Sequence, residues 1–375
     1  MAIDSGPLTS GHAVRGIGVM VKEQIDAIKM SSDKEIKLDA FDFSNNDQRL
    51  SSNNYDIVHY PYFFPYQITL PPKKPAKKVI VTIQDLIHLI YPKNYPHGIR
   101  GRLNLITQKK RLKYVDLIIT ISETSKKDIC RLLDIPSDKV KVIYIAPSNN
   151  FRVIKNRKRL AFITKKYKLP KKFVFYLGDV NYNKNIPTLV EACELAGMPL
   201  VIGGKHAVEV DSRGLINLMD ISGPQDWIRF LFDVPHPEHA HFEKILEKFD
   251  KNKKIVRLGY IPDEDVSEVM NLASVYCQPS YYEGFGLPVL EAFSCGVPVV
   301  ISKTNCLVEV SDGAALIADH NSANDISEKL TEVLKNHSAK FRKNLIKKGF
   351  ERVKDFSWKK SAAGMVEAYK SVFGD

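Results

Sequence analysis

The stretch Glu283-Gly284-Phe285-Gly286-Leu287-Pro288-Val289-Leu290-Glu291, continued by Ala292-Phe293-Ser294-Cys295-Gly296-Val297-Pro298-Val299-Val300, constrains the fold more than any other part of the chain. Its residue order predicts a short loop, then a helix, then a buried strand. Gly284 and Gly286 let the backbone approach a ligand closely. Pro288 suits a first helical turn, where its missing N–H costs nothing. The N–H groups at such a helix start form an anion site, with phosphate as the usual guest. Glu283 precedes the loop and Glu291 falls about one turn into the helix. Carboxylates repel phosphate, so this pair is better aimed at hydroxyls, as an acidic residue takes ribose hydroxyls in a dinucleotide fold. A ligand with hydroxyls on both sides of a diphosphate is a nucleotide sugar. An ordinary α/β crossover with capping glutamates fits the same spacing.

Apolar, strand-like runs alternate with helical stretches along the whole chain, which predicts parallel sheets with crossover helices. Strands are expected over 57–59, 78–83, 117–121 and 140–143, and helices over 18–30, 102–114 and 122–133. The polar, basic stretch 146–172 reads as an interdomain linker with a short helix over 157–168. The pattern then restarts, with strands over 173–178, 200–203, 255–258, 275–278 and 298–301 and a helix over 186–196. About fifty residues part the strands 200–203 and 255–258. That is more than a crossover needs, so 207–250 reads as an insertion with extra helix. At 375 residues two domains are expected, 1–165 and 166–355, followed by a terminal helix in 356–375.

The chain carries 55 Lys and Arg against 43 Asp and Glu, a net charge of +12. Such a surface suits nucleotide diphosphates, phospholipid headgroups or nucleic acid. No RNA- or DNA-binding signature accompanies the charge, so nucleic acid is not expected as a partner. No apolar run approaches the ~18–20 residues of a membrane span. No signal peptide is expected from the first residues, which lack a basic region followed by a long apolar one. Cys130, Cys193, Cys277, Cys295 and Cys306 are odd in number and widely spaced. Reduced thiols in a cytoplasmic setting fit them better than disulfides or a zinc site.

Other residues are candidates by position. Lys184, in Gly178-Asp179-Val180-Asn181-Tyr182-Asn183-Lys184-Asn185, follows a strand and precedes a helix, where it can neutralise a diphosphate as a point charge. Gly16 and Gly18 open a helix after the first strand, and Arg15 beside them can complement Lys184. Gln84 and Asp85 stand at a strand's C-terminal end, where α/β sheets place functional residues. His88 nearby reads as a packed core histidine. His236, His239 and His241 cluster within the insertion but lack a matched second ligand pair, so no metal site is expected. Arg100 to Tyr114 predicts a basic helix with Leu103, Ile106 and Leu112 interleaved. It suits either an anionic membrane surface or a core-facing helix with a solvated basic face.

The Glu-x7-Glu block closely resembles the signature of the retaining glycosyltransferases of family 4, the group 1 glycosyl transferases of GT-B fold. Other segments match in order: Arg15-Gly16-Ile17-Gly18, Thr82-Ile83-Gln84-Asp85-Leu86, Thr120 to Lys126, Tyr176-Leu177-Gly178 with Lys184, and Leu258-Gly259-Tyr260-Ile261-Pro262. The resemblance implies two doubly wound Rossmann-like domains with a deep interdomain cleft, acceptor side first and nucleotide-sugar side second, and a C-terminal helix crossing back. It implies that Glu283 contacts the transferred sugar and Lys184 the diphosphate. Glu291 would hold the ribose and Tyr260 stand near the nucleobase. The turn Gly284, Phe285, Gly286, Leu287, Pro288 would meet donor oxygens, with Gly16 and Gly18 passing close to the diphosphate and Gln84, Asp85 and Arg15 on the acceptor side. It implies a hexose-type transfer to a glycan, a lipid-linked acceptor or a small molecule, with a nucleotide-diphosphate sugar as co-substrate and no metal or other cofactor. The expected setting is cytoplasmic, with the inner face of the membrane as a peripheral partner. Two positions depart from the family. Asp179 stands where an Arg is usual and Gln84 where many members have His. A sugar-nucleotide epimerase, a phosphorylase or a non-catalytic nucleotide-sugar binder are the alternatives.

Overall fold

The computed structural model describes residues 1–9, 16–30, 36–44, 49–50, 55–208, 237–335 and 339–373. The chain forms two units. One comprises Met1–Ile90, His97–Ala146 and Phe356–Asp375, the other Tyr91–Pro96 and Pro147–Asp355.

The first unit is built on six strands: β1 (Ala2–Asp4), β2 (Asp39–Phe41), β3 (Ile57–Tyr60), β4 (Lys78–Thr82), β5 (Leu117–Thr120) and β6 (Val140–Val142). They run in the order β2-β1-β3-β4-β5-β6, every neighbouring pair parallel. Helices cover both faces of such a sheet, so its strands are apolar throughout rather than alternating. β3 and β5 are accordingly buried at every residue. His59 is the polar exception inside β3. Its ring nitrogens meet Tyr369 Oη at 3.0 Å and Thr82 Oγ1 at 2.8 Å. Burial pushes its pKa down to about 3, so the ring is neutral. The helix Trp358–Ser371 is capped by Ser357, whose hydroxyl accepts from the Lys360 amide. Ala362, Met365, Ala368 and Tyr369 form its buried stripe, packed with Ile57, Ile80, Leu117, Ile119 and Ile143.

The helix expected over 102–114 begins three residues earlier and runs Ile99–Leu112. Its apolar residues divide between two faces. Leu112 is buried, whereas Leu103 and Ile106 are exposed, which corrects the core-facing reading for those two.

The second unit repeats the architecture with β7 (Val174–Leu177), β8 (Leu200–Gly203), β9 (Ile255–Gly259), β10 (Val275–Gln278), β11 (Val299–Ser302) and β12 (Leu316–Ala318). Their order is β12-β11-β10-β7-β8-β9, again parallel throughout. Connections leave β7 toward one edge and β10 toward the other, so the switch point lies between these two neighbours. The linker helix occurs as Arg157–Lys166, with Asn156 accepting from the Arg159 amide. Of the insertion, residues 209–236 lie outside the described residues. Its last part is the helix Pro237–Lys251, which buries Phe242, Ile245 and Phe249 in the core of this unit. All five cysteines are free thiols.

Candidate functional site

In open α/β sheets, ligands bind outside the strand carboxyl ends at the switch point. Here β7 runs out into the loop that carries Lys184, and β10 into the loop that carries Glu283. The helix Leu287–Ser294 starts directly after Gly286, with Pro288 in its first turn. Gly286 has φ +99°, a conformation that side chains resist, and a Cβ there would lie 2.5 Å from Leu307 Cδ2. Only glycine lets the loop enter the helix along this path. Phe285 is buried, and its carbonyl accepts from the Cys306 thiol at 3.1 Å.

Glu283 is buried and heavily bonded. Lys184 Nζ lies 2.9 and 2.8 Å from its two carboxylate oxygens. Gln278 Nε2 and Ser280 Oγ each donate to one of those oxygens at 2.6 Å. A buried carboxylate is tolerable only with such compensation. Two asparagines hold the Lys184 loop against the Glu283 loop. The Asn183 carbonyl accepts from the Tyr281 amide at 2.8 Å, and its side chain donates to the Tyr282 carbonyl at 3.1 Å. Asn185, in the left-handed region at φ +55°, donates to the carbonyls of Pro279 and His320 at 3.0 and 2.7 Å. Tyr95 Oη donates to Asn183 Oδ1 at 2.7 Å.

Glu291 lies on the buried side of the helix. Among the described residues its carboxyl accepts no hydrogen bond. Burial, with a smaller push from the Asp263 charge, raises its pKa to about 8. The group is thus a neutral acid at neutral pH.

Asp179, at the position of the expected arginine, is held in place. Its Oδ1 lies 2.5 Å from His206 Nδ1 and accepts from the Val180 amide at 2.8 Å. Burial pushes the carboxyl up, but His206, Val180 and the Lys184 charge outweigh it and leave the pKa below the usual carboxylate value. The floor beside this pair is bare backbone. Gly204, at φ +148°, has no room for a Cβ, which would lie 2.0 Å from the Gly178 carbonyl oxygen. Its amide donates to the Gly259 carbonyl at 2.8 Å. Tyr260, the next residue, is 53% exposed.

The chain matches the model of glycosyl transferases group 1 over residues 158–352. It belongs to that family. The model of glycosyltransferase family 4 matches this glycosyltransferase over residues 16–146. It is 30% identical to the O-antigen chain mannosyltransferase B of Escherichia coli over 321 residues, 84% of this chain and 74% of that one. It is 25% identical to the serotype-specific mannosyltransferase WbdA of Escherichia coli, over 84% of this chain and 36% of that one. Among solved structures, Anabaena HepE in complex with UDP and glucose superposes with a TM-score of 0.66 at 14% identity, covering 99% of this chain and 100% of that one. The fold is therefore GT-B.

Within this glycosyltransferase, the second unit brings together Lys184, Glu283, the turn 284–288 and Glu291. In the first unit, Gly16 starts the helix Gly16–Lys29 and Gly18 is buried in its first turn. Arg15 lies outside the described residues. Gln84 is buried and donates to the Pro61 carbonyl at 2.7 Å. Asp85 Oδ1 accepts from the Ile87 amide at 3.1 Å, a turn cap. His88 Nδ1 meets His97 Nε2 at 3.0 Å, and burial lowers both to about 4. His236 lies outside the described residues, and His241 meets the Val180 carbonyl at 2.9 Å. Among the described residues no three or more His, Cys, Asp or Glu side chains are grouped to hold a metal. Sequence reasoning missed Gln278, Ser280, Asn183, Asn185 and His206. Their sequence neighbourhoods show asparagines in a loop and a histidine after a glycine pair. The asparagine side chains donate to carbonyls 94 to 135 residues away, whereas Gln278 and Ser280 meet Glu283 from 5 and 3 residues off and His206 meets Asp179 across 27.

Proposed function

We propose that this glycosyltransferase transfers mannose from a nucleotide-diphosphate sugar to a growing glycan, with retention of anomeric configuration. The observation that carries the reading is the Lys184–Glu283 pair lying beside a glycine-gated helix start at the switch point, with the unsatisfied carboxyl of Glu291 one turn on. In the resting protein Lys184 and Glu283 satisfy each other. A donor diphosphate draws Lys184 away, and the sugar hydroxyls take its place at Glu283. Lys184 and the helix start then meet the charge that grows on the leaving diphosphate, which is electrostatic catalysis. These groups supply what a divalent cation supplies elsewhere, so the reading needs no metal. Glu291 takes the ribose hydroxyls, and Tyr260 offers an exposed ring to the base. Gln84 and Asp85 belong to the acceptor side.

Mannose is favoured because the two Escherichia coli relatives are an O-antigen chain mannosyltransferase and a serotype-specific mannosyltransferase. The acceptor is then a polysaccharide chain on a lipid carrier, met in the cytoplasm at the inner membrane face. A thermal-shift screen of UDP-, GDP-, ADP- and dTDP-linked sugars, mannose among them, tests the donor, since a bound ligand raises Tm with occupancy. No shift with any of them overturns the reading. Turnover of the donor without acceptor points to an epimerase instead. Glu291→Ala should weaken binding of the cognate nucleotide diphosphate by about 1–3 kcal/mol, the scale of hydrogen bonds to a charged group. Unchanged affinity on calorimetric titration removes Glu291 from the site.

A further inference from the structure

The helix Ile99–Leu112 of the first unit turns an apolar stripe outward. Ile99 is 60% exposed, Leu103 58% and Ile106 53%. At spacings of four and three they line one helix face. The opposite face is tied down, which fixes the direction of the stripe. Gln108 is fully buried and donates to the Gln67 carbonyl at 2.8 Å, while Asn104 donates to the Tyr66 carbonyl at 3.0 Å. Leu112 is buried with them. The loop so held carries another exposed apolar residue, Ile68.

The charges around the stripe are all of one sign. At 100° per residue Lys110 falls on the stripe itself, Arg102 and Lys113 on one flank, and Arg100 on the other. Residues 97–114 include no Asp or Glu. Among the described residues these four cations form no ion pair, whereas Lys109 pairs with Asp134. An apolar protein partner would have to desolvate the cations. A bilayer does not, because long basic side chains keep their charge at the headgroups while their stems lie along apolar surface.

We propose that this face docks on an anionic lipid surface. Ile99, Leu103 and Ile106 enter the boundary between headgroups and acyl chains, and Arg100, Arg102, Lys110 and Lys113 meet the headgroup charge. No helix among the described residues is long and apolar enough to span a membrane, so the contact is peripheral. The inference rests on the reading that the acceptor is carried on a membrane lipid, and it locates the surface that meets it.

Flotation with vesicles of phosphatidylglycerol and phosphatidylcholine, against phosphatidylcholine alone, is the test. The protein should float with the anionic vesicles at low salt, and at least roughly tenfold less with neutral vesicles or at high salt. Leu103→Glu combined with Ile106→Glu should abolish flotation, with Tm and turnover on a water-soluble acceptor unchanged. Equal flotation with neutral lipid, no flotation with anionic lipid, or flotation of the double variant like the wild type overturns the proposal. A concentration-dependent dimer without lipid that the double variant abolishes also overturns it, since the stripe would then serve a second copy of the chain. Turnover without vesicle binding would sink the docking surface and leave glycosyl transfer standing. Vesicle binding without any donor-induced Tm shift would do the reverse.

Discussion

Lys184 Nζ bridges both carboxylate oxygens of Glu283, at 2.9 and 2.8 Å, across 99 residues of sequence. Gln278 and Ser280 complete the shell of that carboxylate. The proposed function requires each partner to be released when the donor enters.

Lys184→Ala should therefore lower turnover by about 10²–10³-fold at saturating donor, the usual cost of losing one electrostatic stabiliser of a leaving group. Single-turnover rates at saturating donor read this. If only KM rises, Lys184 is a binding residue and its catalytic role is wrong. Stability gives an independent check. Lys184→Met alone leaves a buried carboxylate short of its cation and should cost about 1–3 kcal/mol, part of which Glu283→Gln restores in the double variant.

Glu291 makes the donor-free protein sensitive to alkali. Its pKa is raised from 4.5 to about 8. Between those values the unfolded chain releases the proton and the folded protein keeps it. The unfolded state binds fewer protons, so stability falls as pH rises through this window. Glu291→Gln removes the penalty. Its donor-free Tm should exceed that of the wild type at pH 8, by an amount equivalent to about 2–4 kcal/mol, and converge with it near pH 5. A constant Tm difference across the range would show that Glu291 is not the titrating group.

Gly286→Ala should cost about 1–3 kcal/mol, because a side chain at φ +99° is strained. The added Cβ also meets Leu307 Cδ2. Leu307→Ala in the same background opens space but leaves the backbone strain, so recovery should be incomplete. Denaturant midpoints measure both. A Gly286→Ala variant as stable as the wild type would mean that the loop enters the helix by another path.

Asp179→Arg restores the residue usual in the family, yet it should not improve donor binding. The exchange removes the bonds from His206 and the Val180 amide. A loss of about 1–3 kcal/mol in stability is expected, with donor affinity unchanged or weaker. Tighter binding of the nucleotide diphosphate in calorimetry would show that the slot still accepts the arginine.

The parallel α/β architecture was legible in the sequence because its determinants are local. Buried parallel strands are continuous apolar runs, and Gly286 followed by Pro288 marks a loop turning into a helix. The pairing of Glu283 and Glu291 with that turn also needs only nine consecutive residues. Other features depend on residues far apart in the chain. The meeting of Lys184 with Glu283 requires β7 and β10 to be neighbours, which strand order decides. The bond between Asp179 and His206 requires β7 beside β8 in the same way. Leu103 and Ile106 read equally well as core or surface, since a periodic pattern shows a face but not what covers it. Only the bonds of Gln108 and Asn104 to the loop beneath turned that face outward. Local residue order determined which elements form and where a glycine turn opens a helix. Contacts across the sheet and beneath the helix decided which side chains share a site and which face meets the surroundings, because hydrogen bonds and burial depend on distance in space.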